Sequence, residues 1–214
     1  MAKKSEAERI NQLIQGQRNF FESGKTRDPL WRKQQLQLLS DAIHSHEQEI
    51  FNSLKIDLSK SSFESFITEV GMTYAEINNA KKHVVRWSRP KTVIPSLVSF
   101  PAIGKIIPEP FGISLIMSPW NYPFALAMEP LIGAIVAGNC ALIKPSRYSM
   151  ATSAIIEKII TSTFPPEYIA VIQGGHEQNT ILLEQHFDLF FYWKCLYRKD
   201  CYGKCREISY TSLS

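Results

Sequence analysis

The feature that most constrains the fold is an alternation of strand-like and helix-like segments in the second half of the chain. Three continuous apolar runs of strand length are separated by two segments whose apolar residues recur at helical spacing. The predicted strands run from Gly112 to Met117, Cys140 to Ile143 and Ile169 to Ile172, and the predicted helices from Pro123 to Val136 and Met150 to Ser162. Strands without polar alternation are buried on both faces, so these helical crossovers predict a partial, doubly wound parallel sheet of the α/β class.

Ligands of such sheets bind beyond the carboxyl ends of the strands, and three predicted loops leave that edge. They span residues 118–122, 144–147 and 174–175. No Gly-x-Gly-x-x-Gly segment follows the first strand and no P-loop motif occurs, so a standard dinucleotide or P-loop fingerprint is absent. The loops instead offer a carboxamide, an ammonium group and a hydroxyl, from Asn121, Lys144 and Ser146.

These loop residues each have a functional and a purely structural interpretation. Asn121 could donate an N–H to a developing oxyanion, or it could be a turn residue between a strand and a helix that begins with proline. Lys144 could bind ribose hydroxyls, or it could be a solvated lysine at a strand end. Gly174 and Gly175 could simply form a turn, because an isolated pair of glycines is a weak signal. Spacing alone leaves these alternatives open.

The chain before Pro90 predicts helices, and the chain after it predicts a protruding ribbon. Asp28 and Pro29 suit the N-cap and first position of one helix, and apolar spacing predicts further helices over residues 48–58 and 64–87. Prolines then punctuate two β-prone runs, residues 96–100 and 104–107, with a turn over residues 101–104. The exposed edge of this ribbon, from Ser96 to Ile107, needs cover from the rest of the chain or from a second subunit.

These patterns divide the chain into four parts. They are N-terminal helices (1–89), the ribbon (90–111), a Rossmann-like α/β part (112–192) and a tail (193–214).

Charge and cysteine content argue against a nucleic-acid or metal partner. The formal net charge is +4, but five basic and only two acidic residues lie in the tail, which leaves the body nearly neutral. Three of the four cysteines also lie in the tail, at a spacing that suits a zinc site poorly. Neither a secretory signal nor an apolar stretch of membrane-spanning length is visible, so the sequence predicts a cytoplasmic protein without a membrane anchor.

Five motifs resemble those of the aldehyde dehydrogenase family, in particular its class-three type, which oxidises fatty and aromatic aldehydes. They are EPFGISLIMSPWNYPF (109–124), PLIGAIVAGN (130–139), LIKPS (142–146), VIQGG (171–175) and FDLFFY (187–192). The resemblance implies the N-terminal part of an NAD- or NADP-binding domain, in a protein that takes an aldehyde as substrate. It also implies that the ribbon is an oligomerisation hairpin, which would form a homo- or hetero-dimer.

The same resemblance implies roles for individual residues. Asn121 matches the asparagine that helps to stabilise the oxyanion of the thiohemiacetal. The implied cofactor-binding positions are Ser118, Pro119 and Trp120 along the cofactor wall, Lys144, Ser146 and Arg147 at the adenosine ribose, and Gly174 and Gly175 near the pyrophosphate.

Arg147 departs from the family pattern. The family usually has a glutamate after Lys-Pro-Ser, where it accepts hydrogen bonds from the ribose hydroxyls, but this chain has arginine. Because arginine beside a ribose accommodates a 2′-phosphate, we expect a shift of preference toward NADP.

A second departure begins after Tyr192, where WKCLYRK replaces the Thr-Gly-Ser continuation of the family. The segments that carry the general-base glutamate and the nucleophilic cysteine do not follow, so we expect this chain to be inactive by itself. Removing one base from the Trp193 codon permits a family-like continuation that begins Gly-Ser-Val, which suggests that residues 193–214 are an out-of-frame translation. A non-catalytic partner subunit and an unstable truncated product are the alternative interpretations.

Overall fold

A computed structural model describes residues 2–94 and 101–192 of the 214-residue chain. The helices are α1 (Ala2–Glu22), α2 (Pro29–Ser45), α3 (Glu47–Leu58), α4 (Ser62–Ser65), α5 (Gly71–Trp87), α6 (Ala125–Ala137), α7 (Met150–Thr163) and α8 (His176–Leu183). The strands are β1 (Lys91–Val93), β2 (Gly104–Ile106), β3 (Ile113–Met117), β4 (Cys140–Lys144), β5 (Ile169–Val171) and β6 (Leu189–Tyr192). A short 3₁₀ helix (Lys25–Arg27) precedes α2, and a π-helical turn (Phe66–Val70) precedes α5.

Local chemistry sets the helix boundaries in the first part of the chain. Asp28 Oδ1 accepts a hydrogen bond of 2.9 Å from the Leu30 backbone N–H, and Pro29 occupies the first helical position, so the predicted start of α2 is confirmed. The single helix predicted over residues 64–87 is wrong in detail, because a π-helical turn interrupts it. Gly71 permits that turn, since a Cβ there would lie 2.8 Å from the carbonyl oxygen of Phe66.

The four-stranded sheet is parallel and has the order β5-β4-β3-β6. The predicted α/β class and the three predicted strands are confirmed, with ends that shift by one residue. Successive strands step from β3 to β4 to β5 and then return to β6 on the other side of β3. Right-handed crossovers therefore place α6 and α7 on one face of the sheet and α8 on the other.

Neither α8 nor β6 is among the elements predicted above. The residues of β6 lie in the motif at 187–192, whose apolar run Leu189–Tyr192 is the signal that indicates a strand. Its pairing with β3 makes β3 a central strand and creates a reversal of strand order between β3 and β6.

The N-terminal helices and the sheet share one hydrophobic core. Helix α1 contributes Ile10 and Ile14, and helix α2 contributes Leu36, Leu39 and Ile43 to the same buried cluster as the strands. A hydrogen bond of 2.9 Å from Gln17 Nε2 to the carbonyl oxygen of Ala141 attaches α1 to β4. None of the helices in the described ranges combines the length and the hydropathy that crossing a membrane requires.

The described part of the ribbon is antiparallel. Strand β2 pairs with β1, a pairing that the sequence pattern does not predict, and Gly104 lies opposite Val93. The missing Cβ of Gly104 allows this approach, because a Cβ there would lie 2.8 Å from Val93 Cγ2. The predicted strand over residues 96–100 lies outside the described residues, so its pairing with residues 104–107 stays a prediction.

Candidate functional site

The carboxyl ends of β3 and β4 are level and adjoin. Met117 pairs with Lys144 in the parallel register, and the Ser118 backbone N–H donates a hydrogen bond of 3.2 Å to the Lys144 carbonyl oxygen. Tyr192 at the end of β6 pairs with Met117 on the other side. The first two predicted loops therefore leave the sheet side by side, next to the reversal of strand order where parallel sheets bind ligands.

Lys144 is buried, so the interpretation as a solvated lysine is wrong. Its residue is 3% exposed, and Nζ donates a hydrogen bond of 2.7 Å to the carbonyl oxygen of Pro145. Burial, and then the nearby charge of Arg147, lower the pKa of the ammonium group to about 8. An amine in this position has two further donors for a ligand at the edge of the sheet.

The first loop runs from a buried start to an exposed middle. Ser118 is buried, and its Oγ has no hydrogen-bond partner within the described ranges. Pro119 is also buried, whereas Trp120 and Asn121 are exposed at the loop's centre. A buried hydroxyl without a partner is unusual and fits a position that a ligand satisfies.

The second and third predicted loops are in contact through Arg147. A Cβ on Gly175 would lie 3.2 Å from Arg147 Cδ and 3.3 Å from Arg147 Nη1. The guanidinium also donates a hydrogen bond of 3.1 Å to the Tyr148 hydroxyl and lies over that ring. Ser146, partly buried, accepts a hydrogen bond from the Tyr148 backbone N–H, which fixes a tight turn after β4.

The glycine loop after β5 has a conformation that needs glycine. Gly174 has a φ of 130°, and a Cβ there would lie 2.4 Å from Gln178 Cδ. The Gln178 side chain accepts a hydrogen bond of 2.9 Å from the Gly175 backbone N–H at the start of α8. The two glycines bring the backbone close to both Gln178 and Arg147.

A model of the aldehyde dehydrogenase family matches residues 1–189, nearly all of the described chain. The chain belongs to the aldehyde dehydrogenase family. The match stops close to Tyr192, where the sequence departs from the family pattern.

Curated relatives include members of the class-three group that the motifs resemble. The chain is 42% identical over 183 residues to the 4,4′-diaponeurosporen-aldehyde dehydrogenase of Staphylococcus aureus, covering 86% of this chain and 40% of that protein. It is 39% identical over 180 residues to aldehyde dehydrogenase family 3 member H1 of Arabidopsis thaliana, covering 84% of this chain and 37% of that protein. The aldehyde dehydrogenase chain described here therefore spans about two fifths of the length of these relatives, and the class-three resemblance is confirmed.

Solved structures of aldehyde dehydrogenases share the fold. A substrate-bound Staphylococcus aureus AldH superposes with a TM-score of 0.89 at 39% identity, covering 93% of this chain and 44% of that one. An NAD⁺ complex of an aldehyde dehydrogenase from Bacillus cereus has a TM-score of 0.79 at 18% identity, covering 94% and 42%. A glyceraldehyde-3-phosphate dehydrogenase from Methanocaldococcus jannaschii complexed with NADP has a TM-score of 0.64 at 20% identity, covering 79% of this chain and 37% of that one.

Two charged residues that the sequence analysis leaves out contact the candidate site of this aldehyde dehydrogenase chain. Glu69 is fully buried, and its Oε2 accepts hydrogen bonds from the Phe124 and Ala125 backbone N–H groups at 2.8 and 3.2 Å. Lys60 Nζ lies 2.6 Å from Glu69 Oε1. Neither residue follows a strand of the sheet, so the rule that points to carboxyl-end loops does not find them.

Cys140 is the only cysteine in the described ranges of this aldehyde dehydrogenase chain. It is fully buried, and burial raises the pKa of its thiol to about 12. The thiol lies 3.6 Å from the Gln17 carbonyl oxygen, at the opposite end of β4 from Lys144. A thiol in this state is not the thiolate nucleophile that aldehyde oxidation requires.

Across the described residues, no group of three or more histidine, cysteine, aspartate and glutamate side chains is placed to hold a metal ion.

Proposed function

We propose that this chain is the NAD(P)-binding part of an enzyme that oxidises fatty or aromatic aldehydes to carboxylic acids. The observation that carries the proposal is the meeting of the Ser118, Lys144 and Gly175 loops at the carboxyl edge of a parallel sheet, beside a reversal of strand order. Membership of the family supplies the reaction class. NAD(P)⁺, when bound, supplies the acceptor for the hydride of the aldehyde.

The residues at this edge fit a dinucleotide. The buried Ser118 hydroxyl lacks a partner within the described ranges, and the Lys144 amine has donors left for ribose hydroxyls. Pro119 and Trp120 form the wall beside them, and Gly174 and Gly175 let the backbone approach a pyrophosphate. In this proposal Ser146 holds the turn that presents Lys144 and Arg147 to the ribose.

Asn121 supplies the chemistry of the proposed site. Its exposed carboxamide follows Trp120 and precedes α6. An amide N–H directed at the oxygen of the aldehyde stabilises the negative charge that develops when a nucleophile adds. Such a contact contributes about 3 kcal/mol to a transition state.

Arg147 directs the cofactor preference toward NADP in this proposal. Its guanidinium lies beside Gly175 and close enough to Lys144 to lower that residue's pKa. Arginine binds phosphate oxygens through two parallel N–H donors, and a ribose 2′-phosphate offers such oxygens.

Titration calorimetry with NAD⁺ and NADP⁺ on the purified 214-residue chain tests the cofactor proposal. We expect binding of both dinucleotides, with NADP⁺ the tighter, and a loss of about tenfold in affinity for both in the Lys144→Met variant. The matched control is the Lys158→Met variant, which removes an exposed lysine of α7 that pairs with Glu49 of α3. Failure of the parent chain to bind either dinucleotide would contradict the proposal.

Cofactor reduction tests the expectation of inactivity. Burial raises the pKa of the Cys140 thiol to about 12, and the tail that holds the other three cysteines lacks the family pattern, so we expect no aldehyde-dependent formation of NAD(P)H by the 214-residue chain. Fluorescence of NAD(P)H in the presence of long-chain and aromatic aldehydes measures this directly. A steady aldehyde-dependent increase would show that a nucleophile is present and would overturn the expectation.

The ribbon favours a second candidate function, that of a subunit which pairs with another aldehyde dehydrogenase chain. Strands β1 and β2 form a separate two-stranded sheet, and Ile103, Ile106 and Ile107 are all more than half exposed. Exposed apolar side chains on the described strands of a ribbon fit a partner subunit. Light scattering of the purified chain, compared with an Ile106→Lys variant, tests this: we expect a dimer that the variant disrupts.

A further inference from the structure

A buried ion pair lies directly beneath the loop that carries Asn121. Lys60 and Glu69 flank the short helix α4, and their side chains meet at 2.6 Å in an environment where Glu69 is completely inaccessible. Lys60 Nζ also lies 4.2 Å from the centroid of the Tyr122 ring. The pair is thus in contact with the residue that follows Asn121.

The same pair holds the other end of the loop. Glu69 Oε2 accepts hydrogen bonds from the backbone N–H groups of Phe124, the residue before α6, and Ala125, its first residue. One carboxylate therefore satisfies two of the N–H groups that a helix start leaves unpaired, and its negative charge suits the positive end of the helix dipole. The Ser118 N–H bond to the Lys144 carbonyl oxygen fixes the start of the loop.

The π-helical turn brings the carboxylate to this point. Glu69 lies within Phe66–Val70, and its own carbonyl oxygen accepts a hydrogen bond of 2.9 Å from the Thr73 hydroxyl. Turns of this kind are rare and occur frequently at functional sites.

We propose that Lys60 and Glu69 are positioning residues that set the place of the Asn121 carboxamide. The proposal rests on the oxyanion role proposed for Asn121, and it adds the device that holds this residue in place. A buried ion pair gives little net stability compared with apolar side chains of the same volume, so a stabilising role alone does not account for it. A donor to an oxyanion, by contrast, needs its position fixed to a fraction of an ångström.

Nuclear magnetic resonance of the ¹⁵N-labelled 214-residue chain, without cofactor or aldehyde, tests the proposal. The carboxamide signals of Asn121 and the indole signal of Trp120 are assigned with Asn121→Ala and Trp120→Phe variants. We expect both sets of signals to shift and broaden in Glu69→Ala. In the double variant Lys60→Met with Glu69→Gln, which retains an oxygen acceptor and leaves no buried charge unpaired, they return toward the parent positions.

Arg32→Gln is the matched control, because Arg32 binds the opposite end of α6 through the Val136 carbonyl oxygen. We expect Arg32→Gln to lower thermal stability without moving the Asn121 and Trp120 signals. If Glu69→Ala does not fold, Glu69→Asp takes its place, since the shorter side chain cannot reach Lys60 and the helix together. Unchanged signals in a folded Glu69 variant, or equal shifts in Arg32→Gln, would overturn the proposal. Because the sample contains no cofactor, a failure of cofactor binding leaves this result intact.

Discussion

At the end of β4, the Lys144 ammonium group is held where its charge is disfavoured. The residue is almost fully buried, one donor is used by the Pro145 carbonyl oxygen, and Arg147 adds a second positive charge nearby. A lysine that costs stability at a strand end, and that lies next to an unpartnered buried hydroxyl, is typical of a binding site.

The stability of the fold should depend on the protonation of Lys144. Its pKa is about 8 in the folded chain against 10.5 for an ordinary lysine, so the unfolded state binds more protons between these values. This contribution makes the free energy of unfolding rise from pH 8 to pH 10.5, by on the order of 3 kcal/mol. Urea denaturation at each pH measures the free energies of unfolding of the parent and of Lys144→Met. From pH 8 to pH 10.5, the value for the parent should rise by that amount relative to the value for the variant.

The comparison with Lys144→Met at each pH is needed because other groups titrate in the opposite direction. Burial raises the pKa values of Cys140 and Tyr168, so their contributions lower stability as the pH increases. Those contributions are shared by parent and variant. If the difference in free energy of unfolding between parent and variant stays constant from pH 8 to pH 10.5, Lys144 is not a buried cation.

The cofactor preference should follow the side chain at position 147. In Arg147→Glu the carboxylate can accept from ribose hydroxyls and repels a 2′-phosphate, so we expect NADP⁺ affinity to fall about tenfold or more while NAD⁺ affinity holds or improves. Calorimetric titration of both dinucleotides measures the ratio. Lys33→Glu, an equal change of charge on the exposed side of α2, should leave the ratio unchanged.

Helix α6 is stabilised at its two ends by opposite charges from the N-terminal part of the chain. The Glu69 carboxylate accepts from its first N–H groups, and the buried Arg32 guanidinium donates to the Val136 carbonyl oxygen in its last turn. This arrangement complements the helix dipole at both ends. Because α6 follows the Asn121 loop directly, the N-terminal helices set the geometry of the candidate site from a distance in sequence.

Two glycines of this helix should respond to alanine in opposite ways. Gly138 ends α6 with a φ of 87°, and a Cβ there would lie 2.6 Å from Arg32 Nη2, so Gly138→Ala should lower the free energy of unfolding by about 2 kcal/mol or more. Gly133 lies in the exposed helix interior with nothing near its missing Cβ, so Gly133→Ala should raise it by about 1 kcal/mol. Chemical denaturation of both variants measures the contrast, and equal effects would contradict this account of the helix end.

The whole molecule is held together by contacts between the N-terminal helices and the sheet. Trp31 of α2 packs edge-on against the buried ring of Tyr168, with 4.8 Å between the ring centroids, and Phe20 of α1 completes the group. The Asp57 carboxylate of α3 accepts hydrogen bonds from the Ala151 and Thr152 backbone N–H groups at the start of α7. These contacts link residues that are more than ninety positions apart, so the fold cannot be divided at Pro90 without exposing both sides.

The described part should therefore unfold in one transition. Circular dichroism reports all helices, whereas tryptophan fluorescence includes the Trp31 contact with Tyr168. The two urea denaturation curves should coincide, since both segments share one core. Trp31→Phe identifies the share of the fluorescence change that comes from this contact. Separate midpoints would show that the N-terminal helices unfold independently of the sheet.

The sequence of the tail (193–214) predicts a second, family-like reading frame in the gene. Residues after Tyr192 depart abruptly from the family pattern, and the family match ends at residue 189. We expect the nucleotide sequence across residues 192–193 to hold a family-like continuation in another frame. Sequencing of the transcript decides this, and a second frame without such a continuation would contradict it.

Much of the architecture could be predicted from local pattern. The apolar runs at β3, β4 and β5 and the proline start of α2 each follow from short-range chemistry, and the structure confirms them. The pairing of β1 with β2 could not be predicted, because the approach of Val93 to Gly104 joins two segments that are ten residues apart.

The sequence by itself determined the fold class, the family and the three loops at the carboxyl edge, because strand period, turn chemistry and motif are local properties. Only the tertiary structure decided that Lys144 is buried, that Arg147 lies against Gly175, and that Lys60 and Glu69 lie beneath the Asn121 loop. The burial of a charge and the partner of a carboxylate depend on which distant segments pack together. No spacing along the chain records that packing.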